Sequence, residues 1–367
     1  MNINIMHIVG NRPQFIKLSP LYCAIKDKGY GQVIIHSGQH FDKNMSDIFF
    51  EELNIPKPNA NMHVSGGTHA EMTARMMIEL EPLIVDYMPK IIILYGDTNT
   101  TLAAAIVTKK LGIPIVHVEA GSRTGKDHNP EEINRVIADR ISDLLCAPDK
   151  AAYDNLVREG LQEKAIFSGD VMYDTFIMNK GRIDSERLLA EYALEKYNYI
   201  LMTWHRQENT TNREEMIKII DLLEHIEHKI ICPLHPRTRK KLQEFGLWDR
   251  VQDIINLKII EPVGYLQMIG LLSGCRMTLT DSGGLSKESF FAGVKSLFMV
   301  DLRVWPDLES NGWIHHMSQD ISMNLSFIEN IFVDKKRNDK QALFYGDGSA
   351  ALKIVSEIEK RFIGNQE

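Results

Sequence analysis

The chain has 367 residues, 44% of them hydrophobic and 25% charged, with a formal net charge of -7. That length favours two domains over one, and the composition is that of a globular protein with ample core. The acidic balance, with no long basic tract, argues against nucleic acid as a partner, and no apolar run approaches the roughly 18 residues that cross a bilayer.

Residues 3–9 read as a buried first strand. The start of the chain is apolar but short, and it lacks the basic segment of a signal peptide. A helix follows over about 14–28, then a strand at 33–36. Further short apolar strands are expected at 91–95, 115–118, 144–147 and 166–168, with helical segments between them. Continuous apolar strands alternating with helices imply a parallel sheet covered on both faces. A polar, helical stretch over about 179–196 reads as a linker. A second series of strands follows at 199–204, 230–233, 257–260, 277–280 and 296–300. A last helix over about 349–362 carries Ala351, Val355, Ile358 and Phe362 at helical spacing. The expectation is an α/β protein of two Rossmann-like doubly wound domains facing a cleft. The first spans 1–170, the second 171–348, and a C-terminal helix at 349–367 docks across both. Cys23, Cys146, Cys232 and Cys275 stand far apart with no CxxC spacing, which reads as reduced thiols and a cytoplasmic protein.

Open parallel sheets bind ligands at the carboxyl ends of their strands, and polar clusters follow the predicted strands here. Asp281-Ser282-Gly283-Gly284 leads into a helix predicted over 285–293. Ser282 suits the N-cap. The two glycines allow a ligand close to the backbone, and the free N–H groups of the first turn suit a phosphate. Glu288, one turn in, is placed to reach sugar hydroxyls. An ordinary strand-to-helix turn is the alternative. Arg12 and Lys17 are cations near a helix start, where the dipole disfavours them, so they suggest anion binding. Asp97 and Glu119 directly follow apolar strands, where partial burial fits them for acid/base work. Glu131, Arg135 and Asp139 are spaced i, i+4, i+8, which is also the pattern of a surface ion-pair ladder. His205 follows an apolar strand and is suited to bond a phosphate or move a proton. His235 has a similar setting, whereas His63, His69, His315 and His316 read as surface residues. No HExxH or Cys/His cluster appears, and Gly10-Asn11-Arg12 lacks the full GxGxxG pattern. Neither a catalytic metal nor a nicotinamide cofactor is expected.

Seven motifs in order then resemble the UDP-N-acetylglucosamine 2-epimerase family. They are Gly10-Asn11-Arg12-Pro13-Gln14-Phe15-Ile16-Lys17; Ser37-Gly38-Gln39-His40; and Gly96-Asp97-Thr98-Asn99-Thr100. The others are His117-Val118-Glu119-Ala120-Gly121-Ser122-Arg123; Pro130-Glu131-Glu132-Ile133-Asn134-Arg135; His205-Arg206-Gln207-Glu208-Asn209; and Asp281-Ser282-Gly283-Gly284 with Glu288. The resemblance covers nearly the whole chain. It implies a GT-B-like fold and inversion at C2 of a UDP-linked 2-acetamido sugar, by elimination and re-addition of UDP, with no cofactor. It also implies a homodimer and a role in supplying a precursor of bacterial-type surface polysaccharide.

Carried over residue by residue, the resemblance makes Asp97, Glu119, Glu131 and His205 catalytic. Arg12, Lys17, Gln39, His40, Arg135, His235, Ser282, Gly283, Gly284, Glu288 and Arg303 become the substrate-binding set. Arg12 and the Ser-Gly-Gly turn would hold the diphosphate, Glu288 the ribose, and His205 would assist UDP departure. Three departures stand out. Gln14 replaces the family's common glutamate. Asp42 stands where some members have a glutamine that helps bind an activating UDP-sugar. Arg303-Val304-Trp305-Pro306-Asp307 replaces a common Thr-Glu-Arg-Pro-Glu. With Lys287, Trp305 is similar to a subgroup acting on UDP-2,3-diacetamido uronic acids. A hydrolysing epimerase, a GT-B glycosyltransferase and a catalytically silent nucleotide-sugar-binding protein are the rival readings.

Overall fold

The computed structural model describes residues 4–38, 50–125, 128–300, 305–334 and 343–364. It divides into two compact units: Met1–Met178 with Leu343–Glu367, and Asn179–Ala342. Among the described residues no helix is long and apolar enough to cross a membrane.

The first unit is built on strands β1 (Asn4–Val9), β2 (Gly31–His36), β3 (Ala60–Asn61), β4 (Ile91–Tyr95), β5 (Ile115–Val118), β6 (Leu144–Ala147) and β7 (Ala165–Phe167). Their order is β3-β2-β1-β4-β5-β6-β7, and every neighbouring pair is parallel. Every residue of β4, β5 and β6 is buried, as expected of strands covered by helices on both sides. Each isoleucine or leucine so enclosed contributes roughly 1.5–3 kcal/mol.

The first helix, Arg12–Asp27, starts where Asn11 Oδ1 accepts from Gln14 N at 3.2 Å, with Pro13 in its first turn. It continues through Pro20. Proline has no N–H, so the carbonyl of Ile16, four residues earlier, loses its helical partner. Thr175 Oγ1 donates to that carbonyl at 2.7 Å. The helix is therefore completed by a residue more than a hundred positions away.

Thr175 lies on helix Val171–Asn179, so the expected domain boundary at 170 falls inside this unit. The returning segment is strapped to the same helix. Asp170 N donates to Tyr345 O at 2.9 Å. Ala350 N and Ala351 N donate to the Asp174 carboxylate at 3.1 and 2.7 Å. Asp174 thus caps helix Ala350–Ile358 from a distance, and burial raises its carboxyl to about 6. That last helix, with Ile354, Val355 and Ile358 buried, packs on helix Arg12–Asp27 and is part of the first unit.

The second unit repeats the plan with β8 (Ile200–Thr203), β9 (Ile230–Pro233), β10 (Leu257–Ile260), β11 (Met277–Thr280), β12 (Lys295–Phe298) and β13 (Ile314–His316). The order is β10-β9-β8-β11-β12-β13, again all parallel. Both sheets therefore have the doubly wound order in which direction reverses beside the first strand. The stretch expected as a linker belongs to this unit. Its helix Ser185–Glu191 packs on helix Tyr265–Gly274, where Gly270 gives Leu188 and Ile183 room: a Cβ there would lie 2.8 Å from Leu188 Cδ2.

Candidate active site

In the first sheet the reversal lies between β1 and β4. The turns that follow these strands, with the turn after the neighbouring β5, carry the charged cluster. Lys17, one turn into its helix and buried, forms an ion pair with Glu119. Gly96 lies against that pair: a Cβ on it would sit 3.2 Å from both Glu119 Oε2 and Lys17 Nζ. Gly96 also has φ +63°, which glycine adopts without strain. Glu119 itself has φ +68°, which for a residue with a side chain costs on the order of 1–3 kcal/mol.

The strained turn is braced from below. Asp139, fully buried, accepts from Gly121 N at 3.0 Å and pairs with Arg123 at 2.8 Å. His117 links Asp139 Oδ1 and the Gly96 carbonyl, at 2.7 Å each. Burial pushes the Asp139 carboxyl up, but His117 and Arg123 outweigh it and hold it below the usual carboxylate range.

Asp97 forms an ion pair with Arg135, and its carbonyl accepts from Asn134 Nδ2 at 2.8 Å. Arg135 also donates to Glu132 at 3.0 Å. Burial works against the Arg135 charge, but Asp97, Glu119 and Glu132 override it and raise its pKa. Two carboxylates and two cations thus meet on three strand ends.

Of the two glutamates that open the Pro130–Ile141 helix, Glu132 is the buried one and accepts from Thr124 N and Oγ1 at 3.0 Å each. Glu131 is exposed beside it, its backbone N–H held by Asn129 at 2.8 Å. Positions 132, 135 and 139 share the inward face, as i, i+3, i+7 spacing dictates. Arg135 and Asp139 are therefore turned inward, and the surface ladder read from i, i+4, i+8 spacing does not form. Arg12 stands half-buried at the start of its helix. Gln39, His40, Asp42 and Arg303 lie outside the described residues.

In the second sheet the reversal lies between β8 and β11, and Asp281 joins the two strand ends. This fully buried carboxylate accepts from His205 N and Arg206 N at 2.8 Å each. Its other oxygen lies 3.4 Å from His205 Nδ1. Arg237 Nη2 donates to the His205 carbonyl at 2.5 Å, and the His235 ring lies 6.4 Å from that of His205.

Ser282 caps helix Gly283–Phe291, its Oγ accepting from Leu285 N at 3.2 Å. A Cβ on Gly284 would meet only Ser282 Oγ, at 3.8 Å, so the backbone beside it is open. Trp305 Nε1 donates to the Gly283 carbonyl at 2.9 Å, and its ring covers buried Lys287, whose Nζ is 3.9 Å from the centroid. The first turn therefore presents N–H groups for an anion, with Glu288 buried behind it. His69, read as a surface residue, is exposed yet lies 3.1 Å from Asn99, which opens the helix Asn99–Lys110 after Asp97. Sequence reasoning gave neither Glu132 nor Arg237 a role in these networks. Only the helical phase relative to Arg135 signals the first, whereas the second stands in the polar cluster His235-Pro236-Arg237 that follows a strand.

The model of the family described as UDP-N-acetylglucosamine 2-epimerase matches residues 24–359. The UDP-2,3-diacetamido-2,3-dideoxy-D-glucuronate 2-epimerase of Pseudomonas aeruginosa is 40% identical, over 98% of this chain and 100% of its own length. The UDP-N-acetylglucosamine 2-epimerase of Methanocaldococcus jannaschii is 38% identical over 95% of this chain and 96% of its own. The crystal structure of the M. jannaschii UDP-GlcNAc 2-epimerase in complex with UDP-GlcNAc and UDP superposes with a TM-score of 0.87 at 36% identity, covering 98% of this chain and 100% of that one. The chain therefore belongs to the UDP-N-acetylglucosamine 2-epimerase family.

Proposed function

We propose that this protein is an isomerase that inverts C2 of a UDP-linked 2-acetamido sugar by elimination and re-addition of UDP. The observation that carries the reading is the pair Asp97 and Glu119, each against a cation, on adjacent strand ends of the first sheet. One carboxylate takes the C2 proton while the C1–O bond to the β-phosphate breaks, leaving a glycal and UDP. The UDP oxygen then re-adds to C1 and a proton returns to C2 on the opposite face. Lys17 and Arg135 hold the carboxylates in place. Arg12, Ser282, Gly283 and Gly284 hold the diphosphate, where preorganised donors stabilise the charge that develops. His205, oriented by Asp281, assists departure and return, and Glu288 holds the ribose. Glu131 joins the acid/base set only if its exposed side chain turns to the sugar. Gln39, His40, His235 and Arg303 complete the binding set.

A second reading concerns the sugar. A UDP-2,3-diacetamido uronic acid is the second candidate beside UDP-N-acetylglucosamine: epimerases named for each are 40% identical to this chain, and the Lys287–Trp305 pair beside the anion turn is what supports the uronic acid. The family supports a homodimer and a place in supplying polysaccharide precursors. Exposed Ile78, Val85 and Met88, with Ile133 and Val136 on a second helix, support self-association. The four thiols, all free, support a cytoplasmic setting.

The test is proton NMR in D2O with both sugars. The product epimer should carry deuterium at C2, and 18O placed in the anomeric bridge should scramble into the β-phosphate. Free sugar plus UDP would make the enzyme hydrolytic. Deuterium without scrambling would replace elimination by direct deprotonation at C2.

A further inference from the structure

Gln14 occupies the point where the first sheet reverses. Its side chain is buried and joins the ends of β1 and β4. Oε1 accepts from Gly10 N at 2.6 Å. Nε2 donates to the Tyr95 carbonyl at 2.6 Å and lies 3.1 and 3.2 Å from the hydroxyls of Thr98 and Thr101. The amide orientation is settled by its partners. A flipped amide would set NH2 against N–H and oxygen against carbonyl oxygen.

Neither backbone partner has easy access to water. Gly10 is buried, with Ser37 Oγ and Thr100 Oγ1 pressed where a Cβ would stand. Tyr95 is fully buried. Each of these groups must find its partner inside the protein. Tyr95 immediately precedes Gly96 and Asp97, whereas Gly10 immediately precedes Asn11 and Arg12. Thr101 Oγ1 also donates to the Tyr95 carbonyl, at 2.8 Å, but from within the helix that follows the Asp97 turn; Gln14 reaches both Gly10 and Tyr95 and so ties the turn bearing Asp97 to the turn bearing Arg12.

We propose that Gln14 is a positioning residue of this site, tying the two turns through a donor and an acceptor on one side chain, so that a glutamate here, the family's common residue, would fill the same role only in its protonated form. The proposal rests on the reaction assigned above for its kinetic readout. Glutamate has the same shape but, when ionised, only accepts. It would keep the bond from Gly10 N and set a carboxylate oxygen against the Tyr95 carbonyl, unless it carried a proton. The charged side chains nearest in sequence to the bridging groups are Arg12 and Lys17 on the helix, whose Lys26 and Asp27 lie at its far end, and Asp97 beyond Tyr95. Lys17 is paired with Glu119, and Asp97 with Arg135.

The test compares Gln14→Glu and Gln14→Met with the native protein from about pH 6 to pH 9. Two readouts are taken: kcat with KM for UDP-sugar epimerisation, and amide exchange of the segments containing Gly10 and 95–98. Gln14→Met, which can neither donate nor accept, should lower kcat about tenfold or more at every pH, with KM changed less than about threefold. Its two segments should exchange faster throughout. Gln14→Glu should approach native kcat and protection at the acid end and lose both as pH rises. Native kcat in Gln14→Met, or a Gln14→Glu to native ratio that does not move with pH, overturns the proposal. If the native protein turns over no UDP-sugar, the reaction is wrong, and the exchange data alone decide whether Gln14 ties the two turns.

Discussion

Asp281→Asn tests how the second unit holds His205. The native carboxylate takes two backbone N–H bonds at 2.8 Å and faces the imidazole from its other oxygen. It is fully buried, so these bonds are not shared with water. Hydrogen bonds to a charged acceptor contribute about 1.5–3 kcal/mol each and neutral ones about 0.5–1.5. Neutralising the acceptor of two such bonds costs about 2–3 kcal/mol in all. For a domain of this size that lowers Tm by roughly 4–12 °C. The second effect is chemical. If the amide oxygen stays on the two N–H groups, the NH2 must face His205 Nδ1, replacing an acceptor by a donor. The ring then turns away or changes tautomer, and kcat should fall about 10²-fold or more, as for other misplaced stabilising groups. Scanning calorimetry gives Tm, proton NMR gives epimer formation, and titration calorimetry gives UDP affinity. A variant with Tm within about 1 °C of native and kcat within about twofold would refute the anchoring role.

Two further outcomes are expected. Asp97→Asn and Glu119→Gln should each cut kcat by about 10²–10⁴ while UDP affinity stays near native, because the isosteres keep shape but not proton acceptance. A variant keeping more than about a tenth of native turnover removes that residue from the acid/base set. Asp174, raised in the fold to about 6 chiefly by burial, makes stability depend on pH in one direction. The folded state binds the proton more tightly, so its contribution is full below the unfolded value near 4 and is lost as pH rises through about 6. Urea midpoints between about pH 4 and pH 7 should fall in the native protein, and that slope should shrink in Asp174→Asn. An unchanged slope assigns the pH dependence to other groups.

The strands were legible because a buried parallel strand writes itself locally. Apolar runs end at a polar residue, and 91–95, 115–118, 144–147, 230–233, 257–260 and 277–280 were read to the residue. The Ser282 cap was equally local, one hydroxyl three residues before the N–H it receives. Ala60–Asn61 and Ile314–His316 escaped because two or three residues without an apolar run carry no pattern. Motif order identified the family and the charged residues at the strand ends.

What the chain could not disclose by itself is pairing. Sheet order brings β1 beside β4, and only that makes Gln14 a bridge between Gly10 and Tyr95. Helical phase against a neighbour, not spacing alone, buries Glu132 and leaves Glu131 exposed. Asp174 caps a helix 176 positions away, and Thr175 completes the helix that Pro20 interrupts. Periodicity is a property of consecutive residues, so it survives in sequence. A hydrogen bond between distant residues depends on where two backbones come to rest, and that is decided only when the sheet closes.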